Sequence, residues 1–484
     1  MGNSKTLISI FIFVSLLVVL RSSAQNYNYW SMGSNTPSSL LAGAVVGGGA
    51  GITSIFYNPA GINDIEQSKI AFNASLFSFN WHLYDNPLGR GSELDYLEWQ
   101  VKPRFLSYQF RSKKNKNLSY QLAIFNRNQQ LLELYDQKQF KVKSLDQSKD
   151  LNYMASYDLN KDFSDYWAGF GMAYSVSDKW SLGMSLFGSG KTFRYYQFRS
   201  AMVEDPNDQI GKSASWESME RQYFYVVSII AKIGVRYHID RLSVGLNVSL
   251  PSWRLWGDGY SKRYLQYFNI KNENGQPVPD FLNYGYNNYL VANLKEPFSV
   301  SAGLMYRSKN DKSRYFFSLE YFAPVKTYKA IDNTRISGWG QEEYAPGDDF
   351  LSYKFGAKQI LNLGVGYRHY VRETLSFLLG FRTDFNAYEA SNDGQWKGMA
   401  EYVNIGNPLY HFSGGIEFRF LANTVLFGTE YVVGVNSHAT QFINFDYPGV
   451  YDPNQHLALQ GYPQDIMKYQ YHGLGLYIGY SFDF

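Results

Sequence analysis

The chain has 484 residues, with 45 Lys and Arg against 42 Asp and Glu; a formal net charge of +3 offers no basic field for a nucleic acid. It has no cysteine, which excludes a disulfide framework, a thiolate site and a lipid-modified cysteine. A mean hydropathy of -0.33 argues against a bundle of membrane helices, yet 42 Tyr, 35 Phe, 10 Trp and 42 Gly with only 18% charged residues are out of keeping with a soluble protein and match an outer-membrane β-barrel, aromatic outside and small or polar inside.

The first residues read as an address. Lys5 precedes a mainly apolar run from Leu7 to Leu20, broken by Ser9 and Ser15, and Arg21 and Ser22-Ser23-Ala24 follow. This is the pattern of a secretory signal peptide over residues 1–24; the apolar run, about 14 residues, is short of the roughly 20 that a spanning helix needs. Residues 25–67 hold the small-residue run Ala42 to Ala50 and then Gly51-Ile52-Thr53-Ser54-Ile55-Phe56-Tyr57-Asn58-Pro59-Ala60-Gly61. Rich in Gly and Ala and turned by a donor-less proline, this stretch suits neither a strand nor a helix interior, and it is expected to be a compact plug.

From residue 68 onward a period of two takes over. Leu242, Val244, Leu246, Val248 and Leu250 alternate with Ser243, Gly245, Asn247 and Ser249; Leu375, Phe377, Leu379, Phe381 and Phe385 share one face of another segment, with Leu378 and Thr383 as exceptions. Strand candidates come as hairpins with short turns: about 102–112 with 117–127, 164–176 with 179–192, 221–238 with 242–256, 297–308 with 314–323, 355–371 with 373–386, and 409–420 with 424–437. Polar stretches at roughly 128–163, 193–220, 257–296, 324–354, 387–408 and 438–467 are expected to be long loops, although Leu151 to Leu159 also alternates weakly. One rim tight and the other elaborate is the plan of an outer-membrane barrel, not of a sandwich. With a first strand at about 68–82 and a last at about 469–484, the expectation is an all-β antiparallel transmembrane barrel of about 14 strands over 68–484, both ends periplasmic, with the plug of 25–67 inside. The last strand alternates to its final Phe484, which resembles the signal read by the outer-membrane assembly machinery.

Apolar positions facing lipid leave their alternates facing the lumen, and several are charged: Arg236, Arg307, Glu320, Arg368, Arg382, Asp384, Glu417, Arg419 and Glu430. Two roles are open, ion pairs that stiffen the wall or an arginine that holds a guest carboxylate. The seven histidines are scattered without metal-ligand spacing, no catalytic constellation is legible, and Gly47 to Gly51 lacks the Lys-Ser/Thr ending of a phosphate loop. No cofactor and no metal are therefore expected, and no enzyme.

The plug carries a family likeness. Gly43-Ala44, Gly49-Ala50-Gly51 and then Ile55 to Gly61, placed between a signal peptide and a barrel, resemble the hatch of the FadL/TodX family of outer-membrane transporters for long-chain fatty acids and other hydrophobic compounds; Asn58, Pro59, Ala60 and Gly61 carry the motif. The resemblance implies that a hydrophobic small molecule is caught by extracellular loops, passes to a pocket above the hatch, and leaves sideways through a gap in the wall into outer-membrane lipid. Barrels similar to PorV of type IX secretion share the scaffold yet serve as docking or shuttle partners for other proteins, so a docking role stands beside transport.

Overall fold

The computed structural model describes residues 28–30, 37–64, 68–143, 149–205, 213–272, 274–336, 350–387, 407–446, 451–454 and 457–483. The predicted signal peptide and Phe484 lie outside them. Fourteen antiparallel strands close into one barrel. They are β1 Lys69–Asp85, β2 Glu93–Arg111, β3 Leu118–Lys143, β4 Asp150–Ser175, β5 Trp180–Glu204 and β6 Ala214–Ile239. Four strands in two segments follow: β7 Leu242–Ser249 and Trp253–Phe268, β8 Phe281–Ala292 and Ser299–Arg307, β9 Ser313–Phe322 and Val325–Ile336, β10 Tyr353–Ala357 and Ile360–Arg372. The last are β11 Leu375–Asp384, β12 Leu409–Phe420, β13 Asn423–Ala439 and β14 Met467–Asp483. The first and last strands close the barrel from Lys69 opposite Asp483 to Asp85 opposite Lys468, with one register shift between Ser75 and Phe77, and this pairing satisfies an edge that lipid would leave unbonded.

The two-residue period sorts the faces as expected. Leu97, Trp99, Leu122, Ile124, Leu182, Leu246, Phe377 and Leu379 stand exposed outside, while Gln121, Ser185, Asn247, Ser301 and Ser376 are buried inside. Leu378 breaks the pattern because it is 1% exposed and packs in one cluster with Leu40 and Leu41 of the plug. An apolar residue on the lumen side is stable where an apolar plug meets it.

The predicted long loops at 128–163, 193–220 and 257–296 are largely strand instead. β3, β4 and β6 run for 26 residues and β5 for 25. The reason is an exchange of faces within one continuous strand. In β4 the outward side reads Tyr174, Met172, Phe170, Ala168 and Tyr166, then Ser164, Asp162, Asn160, Asp158 and Ser156. The inward side changes the other way, to Phe163, Leu159, Tyr157, Ala155 and Tyr153, all buried. Where the strand leaves lipid its outer face meets water, so the apolar side must turn to the interior. There it joins a large aromatic core with Phe193, Phe224, Phe355 and Leu290 that fills the upper lumen.

Candidate functional site

The hatch is held to the wall by polar side chains and by glycine gaps. Asn58 is extended, as a residue before proline prefers, and its amide donates to Val46 O at 2.8 Å and Val235 O at 3.2 Å while its Oδ1 accepts from Ala60 N at 3.1 Å. One side chain thus ties two hatch segments to β6. A Cβ at Gly183 would overlap the backbone of Pro59 and Ala60, and one at Gly234 would overlap the Asn58 amide. Ser185 Oγ donates to Ile55 O at 2.8 Å, and Arg236 pairs with Asp64 at the lower edge. Ala60 and Gly61 are buried in the turn that Pro59 begins.

The short helix Ser54–Tyr57 carries Phe56 and Tyr57 on its upper side. Phe56 meets Phe125 at 5.7 Å and Trp167 at 5.8 Å between ring centres. Above it the segment Asn28–Trp30 crosses the lumen. Trp30 donates its backbone N–H to Asp384 Oδ1 at 2.9 Å and its indole to Glu320 Oε2 at 2.7 Å, and Tyr29 O accepts from Arg127 opposite. Between crossing segment and hatch lies a cavity of about 40 Å³, lined by Tyr29, Trp30, Phe56, Tyr57, Trp167 and Phe322 and by Arg127, Lys232, Glu296, Glu320 and Arg382.

Its charged groups differ in their company. Arg382 pairs with Glu430 at 2.8 Å, and Glu430 also holds His411 at 3.0 Å and the Tyr477 hydroxyl. Glu296 pairs with Lys191 at 3.1 Å; Lys191 also faces Asp165, which accepts from Ser189 at 2.7 Å and the Trp167 indole at 2.9 Å. Glu320 takes the Trp30 indole and the Ser299 hydroxyl. Arg127 and Lys232 are different. Arg127 is 7% exposed, donates only to Tyr29 O among the described residues, and leaves Nε and Nη1 without partners. Lys232 is 5% exposed and sits with its ammonium 3.9 Å from the centre of the Phe56 ring, which Arg127 also approaches at 5.4 Å. An aromatic face attracts a desolvated cation but leaves its hydrogen-bonding capacity unused.

Of the charged lumen residues named from sequence, the structure brings Glu320, Asp384, Arg382 and Glu430 to the cavity or its immediate border. Arg368, Glu417 and Arg419 form a separate cluster toward the short turns, with Arg419 Nε 2.8 Å from Glu417 Oε1. Arg307 lies at a turn, 3.8 Å from Asp311. The cavity also holds Arg127 and Lys232, which are not among the lumen charges named from sequence. Lys232 was legible, since it shares the lumen parity of Arg236 on the same strand. Arg127 was legible in the same way, since it shares the odd lumen parity of Gln121, Ala123 and Phe125 on β3; the register shift between Asn126 and Asn128, which leaves four successive residues from Phe125 to Asn128 buried, was not, because a bulge leaves no mark in a two-residue period.

The bulge stands at the foot of a seam. β2 and β3 pair only from Phe105 opposite Phe125 down to Arg111 opposite Ser119. Above that level Glu93–Pro103 pairs with β1 and Asn126–Lys143 with β4, and among the described residues no ladder joins the two edges. The rings Phe56, Phe125 and Phe105, successively 5.7 Å apart, lead from the cavity to the start of the seam.

No family model and no curated protein matches the sequence. Solved structures do. A FadL homologue of Pseudomonas aeruginosa aligns with TM-score 0.56 and 11% identity over 96% of this chain and 99% of its own. The toluene transporter TodX of P. putida aligns with TM-score 0.51 and 12% identity over 90% and 94%, and the toluene transporter TbuX of Ralstonia pickettii with 0.51 and 11% over 95% and 100%. At such identities the likeness is one of fold, and the fold is that of the FadL/TodX barrels.

Proposed function

We propose that this barrel passes hydrophobic compounds across the outer membrane, from the cavity above the hatch sideways into lipid through the seam between β2 and β3. The observation that carries the reading is the junction at Phe125 and Arg127, where buried unpartnered donors, an aromatic-lined cavity and an unpaired stretch of wall coincide. The foot of the seam lies where β4 loses its outward apolar residues, with Asn128 opposite Asp165, and an unpaired strand edge is costly where it meets hydrocarbon. The solved barrels of like fold include transporters of toluene, which agrees with a greasy cargo. Here the polar end of the cavity adds a preference: the cargo is an amphipathic acid, such as a long-chain fatty acid, whose carboxylate takes the free donors of Arg127 while Lys232 neutralises it. The binding assay uses a fluorescent long-chain fatty acid with purified wild type and with R127Q. A fall of about tenfold to a hundredfold in affinity is expected from loss of a charge-assisted bond, and equal binding by the two would overturn the assignment. As the chain has no cysteine, a cysteine pair across the seam gives a clean lock: oxidation should stop uptake but not binding.

The size of the cavity favours a second reading. About 40 Å³ admits a water molecule, against the several hundred Å³ of a ligand pocket, and the upper lumen is packed with aromatic side chains. A filled barrel suits a docking or shuttle partner for other outer-membrane proteins. Failure of the wild type to bind any long-chain acid or aromatic hydrocarbon, together with a protein that travels with it in mild detergent, would favour docking.

A further inference from the structure

We infer that the outward face of β5 to β8, just above the outer aromatic girdle, binds the phosphate groups of a glycolipid of the outer leaflet; the inference rests on the membrane placement proposed above. β6 carries both girdles on its outward side. Tyr237 packs against Trp180 at 4.4 Å near the short turns, and Tyr225 meets Trp256 edge-on at 4.9 Å farther up. The 12 residues from Tyr225 to Tyr237 span about 40 Å along a strand and about 28 Å of height at a 45° tilt, close to the apolar band of about 25 Å. The next outward positions on β6, Tyr223 and Arg221, stand roughly 5 and 9 Å above that boundary, the level of lipid headgroups.

At this level the register gathers cations among tyrosines. Arg221 lies directly opposite Tyr196 on β5 and Lys262 on β7, and Lys262 lies opposite Tyr286 on β8. Arg194 lies opposite Tyr223, with its guanidinium 5.5 Å from that ring, and the Lys262 ammonium is 5.7 Å from the ring of Tyr284. Like charges directly opposite on neighbouring strands repel, yet neither Arg221 nor Lys262 has an ion-pair carboxylate among the described residues. Of the acids nearby, Asp162 lies 3.5 Å from Arg194, Glu217 accepts from Gln266 at 2.6 Å and Asp258 accepts from Gly259 N at 2.8 Å, while Asp158 stands on β4 diagonal to Tyr196, two strands from Arg221. A phosphate between Arg221 and Lys262 removes the repulsion, taking the planar fork of one and the point charge of the other. The surrounding tyrosine hydroxyls donate to phosphate and sugar oxygens, and their rings rest at the interface that aromatic residues favour.

The test is retention of a diphosphorylated glucosamine lipid by the full barrel, measured by native mass spectrometry after exchange into phosphatidylcholine nanodiscs containing that lipid or its dephosphorylated form. Wild type is expected to retain the phosphorylated lipid selectively, and R221Q/K262Q to retain it roughly tenfold to thirtyfold less. K141Q, which removes an exposed cation of β3 away from the row, is expected to behave as wild type. R194Q provides a second, milder variant should the double one assemble poorly, and heat-shifted gel mobility checks that each barrel is closed. Equal retention of the dephosphorylated lipid, no loss in R221Q/K262Q and R194Q, or an equal loss in K141Q would each overturn the inference. Fatty-acid binding measured on the same samples separates the two claims, because the row does not touch the cavity: binding lost with lipid retention kept defeats the transport reading alone, and the converse defeats only the phosphate site.

Discussion

Two layers of charge in the lumen, one below the hatch and one above it, are built on opposite plans. Below, Arg368, Glu417 and Arg419 satisfy one another in the wall of β10 and β12. Above, Arg127 and Lys232 lean on one aromatic ring of the hatch and have no acid of their own among the described residues. A buried charge with its partner is part of the wall, and removing the partner is what hurts. A buried charge without one is destabilising as it stands, and it persists where something else completes it. The contrast separates structure from function better than charge or burial does alone.

The comparison can be broken at either layer. The largest effect is expected below: E417A leaves Arg368 buried and unpaired, and the barrel should lose about 3–5 kcal/mol, read as a lower temperature for the heat-dependent gel shift. A stability equal to wild type would mean that the lower cluster is not what holds that wall. Next comes R127Q above, with about 1.5–3 kcal/mol lost from cargo binding and an unfolding midpoint at or above that of wild type, because an unpaired buried charge is removed; a large stability loss would place Arg127 with the structural charges. N58A removes the amide that joins two hatch segments to β6, and about 1–2 kcal/mol should be lost from the hatch alone. Proteolysis within residues 37–64 should quicken while the gel shift stays, and failure to assemble would make the hatch a structural part of the barrel. The smallest effect belongs to K143Q at the exposed outer tip, whose 2.8 Å pair with Asp150 is open to water on both sides; neither midpoint nor cargo binding should move.

The sequence carried the barrel well because one face of each membrane-crossing segment must be apolar, and residues such as Leu375, Phe377 and Leu379 show it directly. The six predicted hairpins coincide with short turns of the structure, of which Asp240 and Asp311 take the left-handed conformation that tight reversals need. The polar stretches were less legible. In β4 the period of two never stops; it changes sides near Asp165, so a reader following the outward apolar residues loses the strand where it leaves the membrane. The weak alternation of Leu151 to Leu159 was the inward half of that strand. The candidate site was legible only in part. Glu320, Arg382, Lys232 and Arg127 follow from parity, whereas the bulge beside Arg127 and the seam above it depend on pairing between strands, and the pairing at the seam does not form. Missing pairing is a property of two strands together, and neither strand announces it.

The unequal strand lengths have a further consequence, for direction. β3 to β6 are 25 or 26 residues long, while β11 and β12, across the barrel from β4 and β5, have 10 and 12. At about 3.3 Å per residue and a 45° tilt, the tall side reaches roughly 60 Å and the low side about 25 Å, little more than the bilayer itself. The strand framework therefore has a compass bearing: a high back at β4 and β5, a low front at β11 and β12, and the phosphate row anchoring the back in its leaflet. Among the described strands, then, height depends on azimuth around the barrel as well as on depth in the membrane.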